Sequence, residues 1–425
     1  MSCDRKSGPV LGEPEEIAAS TAPVLQPWRR VILDPEFGGR WVVAGDVDGD
    51  GEVEIVSAQN YNENDVHYTS TAVAQKLDGT VLWRWGDPTV GRKTLHHDVA
   101  CQIYDWDGDG HNEVVIASDG FLVELDGRTG RERRRLPIPK GTSDCVAFAR
   151  LSGRPQADVL VKTRYTEIWA YAYSGEPLWH VELPGGYRTA HQARPIDIDG
   201  DGLDEIMAGY ALLNPDGSVR WVYESRAVDP NRGHLDAMRV LRSGQSPEEW
   251  RLTMSLCGAG NLAVVDGNGK IVWEVPGHHF ESLDIGRFCP DVEGPQIAVD
   301  IDHVPWGQSP VWVYDQNGNK ISEMTTVYSR SHRLIDWDGS GVSSLAIARP
   351  RGLFSCRGER LATFDLHLPN GEEDVDKVAV ASGDMNGDGV VDLLLNTEEA
   401  AYIFLSPAGR PADVPLGSGP NFTYY

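Results

Sequence analysis

The sequence predicts an all-β protein folded as a single β-propeller of eight four-stranded blades, and three observations carry that expectation. First, an acidic loop recurs along the chain. It reads "GDVDGDGEVEIVSA" from Gly45, "YDWDGDGHNEVVIA" from Tyr104, "IDIDGDGLDEIMAG" from Ile196 and "GDMNGDGVVDLLLN" from Gly383, with an eroded copy, "IDWDGSGVSSLAIA", from Ile335. Second, three further units keep the strand pattern without the acids: "CVAFARLSGRPQADVLV", "LDAMRVLRSGQSPEEWRLTM" and "SLDIGRFCPDVEGPQIAV". Third, the units recur about every 48 residues, a period in the range of propeller blades.

Each unit follows one grammar. A first strand runs into the acidic loop, and a short apolar strand such as "EVVIAS" follows. A third strand ends in an Asn/Asp-Gly turn, at Leu77, Leu125, Pro215, Asp266 and Asp315. A fourth strand carries a tryptophan, at Trp83, Trp179, Trp221 and Trp273. Four strands repeated in a ring make a propeller, and no stretch of helical period competes. The last unit has no strong fourth strand after "AAYIFLSP"; "RRVILD" from Arg29 is placed to supply it and close the ring. A seven-bladed ring is the alternative, with one weak unit absorbed. Residues 1–25 read as a flexible polar leader and residues 26–425 as the propeller domain.

Composition narrows the function. The formal net charge of −26 disfavours nucleic acid and anionic membrane surfaces as partners. No apolar run approaches the ~20 residues needed to span a bilayer. Gly 46 and Pro 26 suit a turn-rich chain. The six cysteines, Cys3, Cys101, Cys145, Cys257, Cys289 and Cys356, show no CxxC pair and read as isolated thiols. The N-terminus has no apolar h-region, so a cytoplasmic location is expected; a secreted chain with a trimmed leader would read the same way.

The acidic loops are expected to bind Ca2+, mainly for structure. Carboxylates at positions 1, 3 and 5 converge because glycines at 4 and 6 allow a tight turn, position 7 offers a carbonyl, and position 9 closes the shell of hard oxygens. The full sets are Asp46, Asp48, Asp50 and Glu54; Asp105, Asp107, Asp109 and Glu113; Asp197, Asp199, Asp201 and Glu205; and Asp384, Asn386, Asp388 and Asp392. The Asp336 unit has Ser340 and Ser344 at the fifth and ninth positions and is not expected to hold metal. Repetition on several blades marks a stapling device more than a reaction centre.

Histidines gather elsewhere. Seven of 12 lie at the N-terminal ends of the strands that precede the loops: His96, His97, His191, His234, His278, His279 and His332. Arg40, Arg188, Arg232 and Arg330 share these segments. These starts fall on the face opposite the acidic loops, so a locally basic pocket in an acidic protein is expected, suited to a carboxylate or sulfate. A zinc or iron site is the weaker reading, since no H-x-H or HExxH pattern supports it. A serine hydrolase has no G-x-S-x-G elbow to support it.

The "DxDGDGxxEI" units combined with "AHQARPIDIDGDGLDEIMAGYALLNPDGSVRW" and "RGHLDAMRV" resemble the β-propeller polysaccharide lyases, over about Arg40 to Asn396. Rhamnogalacturonan lyases of this type share the order of His, acidic loop, "DG", then "GH-D-A". The compact chain and "LHHDVA" look more like L-rhamnose-α-1,4-D-glucuronate lyases, with ulvan lyases as relatives in mechanism. The resemblance implies β-elimination at a uronic acid of an acidic oligosaccharide or polysaccharide, leaving a 4,5-unsaturated uronate. It implies that His97 acts as base or acid with His96 beside it, and that Arg188 and His191 hold the carboxylate, with Tyr187 a proton donor. His234, His279, Arg330, His332 and Arg40 would complete the substrate subsite. The competing class is a non-catalytic calcium-stabilised propeller that binds carbohydrate or protein.

Overall fold

A computed structural model describes residues 21–63, 66–90, 100–142, 144–301, 309–326, 328–349, 351–366 and 378–408. Eight sheets surround one axis, and seven of them are ordered from inside to outside by four consecutive strands. Blade 1 has its inner strand at Trp41–Gly45, blade 2 at Cys101–Tyr104, blade 3 at Cys145–Ala149 and blade 4 at Thr189–Ile196. The inner strands of blades 5 to 8 are His234–Arg242, Phe280–Gly286, Tyr328–Ile335 and Ala379–Gly383.

Blade 8 is completed from the other end of the chain. Arg29–Ile32 pairs antiparallel with Ala400–Phe404, as Arg29 opposite Ile403 and Ile32 opposite Ala400. This is the closure expected of "RRVILD", and it gives an eight-bladed ring. Val24–Leu25 adds a fifth, parallel strand at the edge of blade 7, so the fold begins before residue 26. Residues 1–20, most of the expected leader, lie outside the described residues.

The recurrent Trp and Asn/Asp-Gly turn prove to be one device. The indole N–H of Trp83 donates to Gly127 O of the next blade at 2.6 Å, Trp179 to Pro215 O at 2.9 Å, Trp221 to Gly267 O at 2.9 Å and Trp273 to Gln316 O at 3.1 Å. The turn glycine then lies flat on the indole. Gly269 has φ +79, and a Cβ there would stand 2.5 Å from the Trp221 ring. A fourth strand therefore latches onto the hairpin of its successor, and glycine is required twice over, by backbone hand and by space. Between blades the core is apolar, as in the cluster of Val31, Trp41, Val43, Ala381, Leu394 and Ile403 that joins blades 8 and 1.

The four acidic loops share one geometry at the lower rim, where the inner strands end. In blade 1, Gly49 N and Gly51 N donate to the two oxygens of Asp46, at 2.7 and 3.0 Å. The ninth-position side chain is buried and accepts from the loop backbone: Val47 N to Glu54, Trp106 N to Glu113, Ile198 N to Glu205 and Met385 N to Asp392, all at 2.9–3.1 Å. Eroded units keep this bond, with Asp158 in blade 3 and Gln296 in blade 6 as the acceptor. The ninth position thus has a structural task that requires no metal.

Candidate active site

The N-terminal ends of the inner strands form the opposite, upper rim. In blades 4, 5, 6 and 7 that end of the strand is irregular. Pairing with the second strand shifts register between Thr189 and Arg194, Leu235 and Ala237, Phe280 and Leu283, and Tyr328 and His332. The inner strands of blades 1, 2, 3 and 8 pair without a break. A bulge turns side chains out of strict alternation. Here it lets one strand aim both a histidine and a carboxylate at the same point.

At that point His191 and His234 meet. Their Nε2 atoms lie 3.0 Å apart. Asp236 Oδ1 lies 3.0 Å from His234 Nε2 and 3.3 Å from His191 Nε2. Tyr165, on the turn of blade 3, closes the group, with its ring centroid 4.3 Å from that of His234 and 5.6 Å from that of His191. Thr189 N donates to Tyr165 O at 2.9 Å, which fixes the turn against blade 4. The exposed Arg188 places its guanidinium carbon 5.7 Å from the Tyr165 ring, and that of Arg164 lies 4.9 Å away on the same ring. Burial, together with the charge of His191, lowers the His234 pKa below its ordinary value, although Asp236 opposes this. The two histidine rings beside it hold the Asp236 carboxyl below the usual carboxylate range despite its burial.

A second group adjoins the first. His279 Nε2 lies 2.9 Å from Glu281 and 3.1 Å from Cys257 Sγ. His191, His234 and Asp236, and likewise Asp236, Cys257 and His279, each bring three donor atoms close enough to hold one metal ion.

A third group comes from an unexpected blade. The second and third strands of blade 1, Glu54–Glu63 and Val66–Lys76, are about twice the usual length and extend past the rim. They carry His67 to blade 3, where its Nδ1 lies 2.9 Å from Asp144. Lys162 Nζ lies 3.0 Å from the same carboxylate and Arg164 Nη1 3.2 Å. All but Arg164 are fully buried. Such a cluster is held by mutual pairing, because each charge alone would be costly to desolvate.

Some expected residues are thus assembled and others are not. His191, His234, His279 and Arg188 stand at the upper rim. Tyr187 does not close on His191; it packs on Tyr210, ring centroids 5.8 Å apart, in the apolar core between blades 4 and 5. His332 is fully buried, its Nε2 3.4 Å from Ala298 O of blade 6, so it braces two blades and presents nothing to a ligand. Arg40 stands where blade 8 meets blade 1, its carbonyl accepting from Asn396 at 2.9 Å. Arg330 lies on the inner strand of blade 7, and its side chain is not described. His96 and His97 fall in residues 91–99, outside the described residues. Tyr165, His67, Asp144, Lys162 and Arg164 were not singled out from the sequence. The one available signal for His67 was the overlong alternating stretch "EIVSAQNYNENDVHYTSTAVAQK" around it.

On the lower rim, Asp46, Asp48 and Asp50, Asp105, Asp107 and Glu113, and Asp197, Asp199 and Asp201 converge as a cation site requires. Burial, then neighbouring carboxylates, push Glu54 up to about 6, Glu113 to about 7 and Asp392 to about 6. Three loops already have a cation of the protein's own. Lys76 Nζ lies 3.0 Å from Asp48 and 2.6 Å from Asp50; Arg133 Nη1 lies 2.8 Å from Asp107 and 2.6 Å from Glu113; Arg220 Nη1 lies 2.8 Å from Asp199 and also pairs with Glu205. Among the described residues, Asp384, Asp388 and Asp392 of blade 8 form no ion pair with a basic side chain.

No family model matches the chain. Two curated proteins of Bacillus subtilis (strain 168) are similar to it. The rhamnogalacturonan endolyase YesW is 26% identical over an alignment taking in 78% of this chain and 63% of the relative. The rhamnogalacturonan exolyase YesX is 25% identical, over 71% of this chain and 58% of the relative. The chain therefore spans about 60% of the length of these curated relatives. The crystal structure of YesW superposes with a TM-score of 0.63 at 21% identity, covering 92% of this chain and 77% of that one, which shows the shared fold. The ring thus defines an eight-bladed β-propeller. Its similarity runs to the rhamnogalacturonan lyases, in keeping with the resemblance read from the sequence.

Proposed function

We propose that this chain is a polysaccharide lyase that cleaves a glycosidic bond at a uronic acid by β-elimination, with a rhamnosyl-glucuronate unit as substrate. The observation that carries the reading is the meeting of His191, His234 and Tyr165 over the buried Asp236, beside the exposed Arg188. A uronate carboxylate pairs with Arg188, which lowers the cost of charge developing at C5. His234, kept neutral by burial, takes the C5 proton. The C5–H electron pair becomes the C4=C5 double bond as the C4–O bond breaks, and the leaving oxygen takes a proton from Tyr165. Asp236 and His191 fix the orientation of His234, and Asp236 stabilises its charged form. His97 belongs to the proposal as the first choice from the sequence for base or acid. The compact connections between repeat units in the sequence support a short or chain-end substrate.

We further propose that the acidic loops bind Ca2+ as staples. The converging carboxylates of blades 1, 2 and 4 and the upward-shifted ninth-position groups support this, and the blade 8 loop has no basic side chain paired with it among the described residues. In blades 1, 2 and 4 the ion competes with Lys76, Arg133 and Arg220.

The test is incubation with gum arabic, rhamnogalacturonan and ulvan while following absorbance of the unsaturated uronate. Product from gum arabic that is lost in His234→Ala with the fold retained is the expected result. Product from rhamnogalacturonan alone moves the substrate to that of the relatives. No product from any of the three overturns the lyase reading in favour of a binding module.

A further inference from the structure

Tyr165 stands on a short connection, 163–166, between the second and third strands of blade 3, Asp158–Lys162 and Glu167–Tyr171. The base of this connection is closed locally. Thr163 N donates to Glu167 O at 3.0 Å, Glu167 N donates to the Thr163 hydroxyl at 3.0 Å, and the hydroxyls of Thr163 and Thr166 lie 2.8 Å apart. The tip is held from outside, through successive carbonyls. Leu183 N donates to Thr166 O at 2.7 Å, Thr189 N to Tyr165 O at 2.9 Å and Lys162 Nζ to Arg164 O at 2.7 Å. The first two donors are main-chain groups. The Thr189 hydroxyl also approaches Arg164 O, at 3.5 Å, so the short side-chain bond to the tip is the one from Lys162.

Lys162 is itself fixed by charge. Its Nζ lies 3.0 Å from Asp144 Oδ2, and both side chains are fully buried. The other oxygen of Asp144 lies 2.9 Å from His67 Nδ1 and 3.2 Å from Arg164 Nη1. One carboxylate therefore holds Arg164 twice, directly at the guanidinium and through Lys162 at the carbonyl. The guanidinium carbon lies 4.9 Å from the Tyr165 ring. Across the sheet Lys162 faces Cys145 on one side and Ile168 on the other, with Val161 opposite Val146 next to it. An ammonium costs much to desolvate among such neighbours, and well-packed apolar residues often replace a buried ion pair without loss of stability.

We propose that Lys162 is a positioning residue for the elimination: it pins Arg164 O against Asp144 and so sets where the Tyr165 hydroxyl meets the leaving oxygen. This rests on Tyr165 as the proton donor. Lys162 is buried beneath the connection and acts through the backbone of Arg164, without touching the sugar. A proton donor must stand within hydrogen-bond reach of the departing oxygen, and a misplacement of about 1 Å can cost roughly a hundredfold in rate. Without the ammonium, Asp144 keeps His67 and Arg164 as partners, so no lone charge is left behind. Arg164 O loses its short bond, and the tip that carries Tyr165 loosens.

The test compares two leaving groups on one uronate. A rhamnosyl-glucuronate oligosaccharide must have its departing sugar oxygen protonated, whereas a glucuronate bearing 4-nitrophenoxy at C4 expels a stable phenolate without a proton. The readout is the ratio of kcat for the sugar substrate to kcat for the nitrophenyl one. In Tyr165→Phe this ratio should fall by roughly a hundredfold or more. In Lys162→Met it should fall in the same direction, by roughly tenfold to a hundredfold, with KM for the sugar substrate near the wild-type value. A merely structural lysine slows both substrates alike, so a wild-type ratio in Lys162→Met overturns the positioning role. An unchanged ratio in Tyr165→Phe removes Tyr165 as the donor, and the role of Lys162 falls with it. A wild-type protein that turns over neither substrate overturns the lyase reading itself. Should Lys162→Met fail to fold, Lys162→Gln, one bond shorter and uncharged, is judged with the same two substrates by the same ratio.

Discussion

The two halves of the ring are made from one repeat and differ in how faithfully they keep it. In blades 8, 1, 2 and 3 the inner strands pair without interruption, and their residues opposite Leu394, Val56, Val115 and Leu160 are Ala381, Val43, Gln102 and Ala147. In blades 4 to 7 every inner strand is bulged at the upper rim, and the corresponding residues are Arg194, Arg239, Asp284 and Arg333. The histidine cluster lies in the second half. Regular repetition secures the ring, and departure from it makes room for chemistry.

Substitutions should separate these roles. The largest effect is expected in the irregular half, where His234→Ala should lower turnover by roughly a hundredfold to ten-thousandfold while circular dichroism and Tm stay near the wild-type values. The mirror experiment is Leu394→Ala in the regular half. Leu394 is fully buried between blades 8 and 1, and its truncation should cost about 2–5 kcal/mol in denaturant unfolding while the folded fraction turns over normally. If both variants lose activity and stability together, the division between the halves is wrong.

Smaller effects sharpen the picture. Gly269→Ala should destabilise by about 1–2 kcal/mol from the left-handed backbone alone, with more from collision with Trp221, measured by the same unfolding. Chelation should lower Tm, and Asp388→Asn should remove more of the calcium-dependent part than Asp199→Asn, because Arg220 already serves the blade 4 loop. The least effect is one of pH. His234 has a lowered pKa, so its neutral form persists below 6.5 and is lost only as pH falls through that lower value. Activity should therefore show an acid limb below 6.5, where His234 also ceases to favour folding, since the unfolded chain takes the proton first. A limb centred above 6.5 would assign the base to another residue.

The architecture was readable because its signals repeat. The turn at Asp266 and the tryptophan at Trp221 are each weak alone, yet their recurrence indicated strand order and the strand from Arg29 that closes blade 8, and favoured eight blades with seven as the alternative. The cluster was readable only in part. "YRTAH" and "RGHLD" marked His191 and His234, because strand starts in a propeller converge on one rim. The bulges that bring Asp236 to the same point leave no such mark, since a bulge is a register shift between two strands and not a residue pattern. Tyr187 was picked out because it stands in "YRTAH" with Arg188 and His191, but the apolar surface of Tyr210 claims it; nothing in the sequence marked Tyr165. His67 lies outside the strand-start segments that marked the other histidines, and nothing local says that a hairpin of blade 1 passes over to blade 3.

Ring closure has a consequence for synthesis. The strand Arg29–Ile32 pairs with Ala400–Phe404, so it leaves the ribosome well before its partner and waits until every other blade has been made. Until then blade 8 has no outer strand, and two edges that end up paired with each other are open to pairing with other chains. Truncated or stalled products should be the sticky forms of this protein, and the finished ring the quiet one. The last hydrogen bonds made are the ones that remove its most hazardous edges.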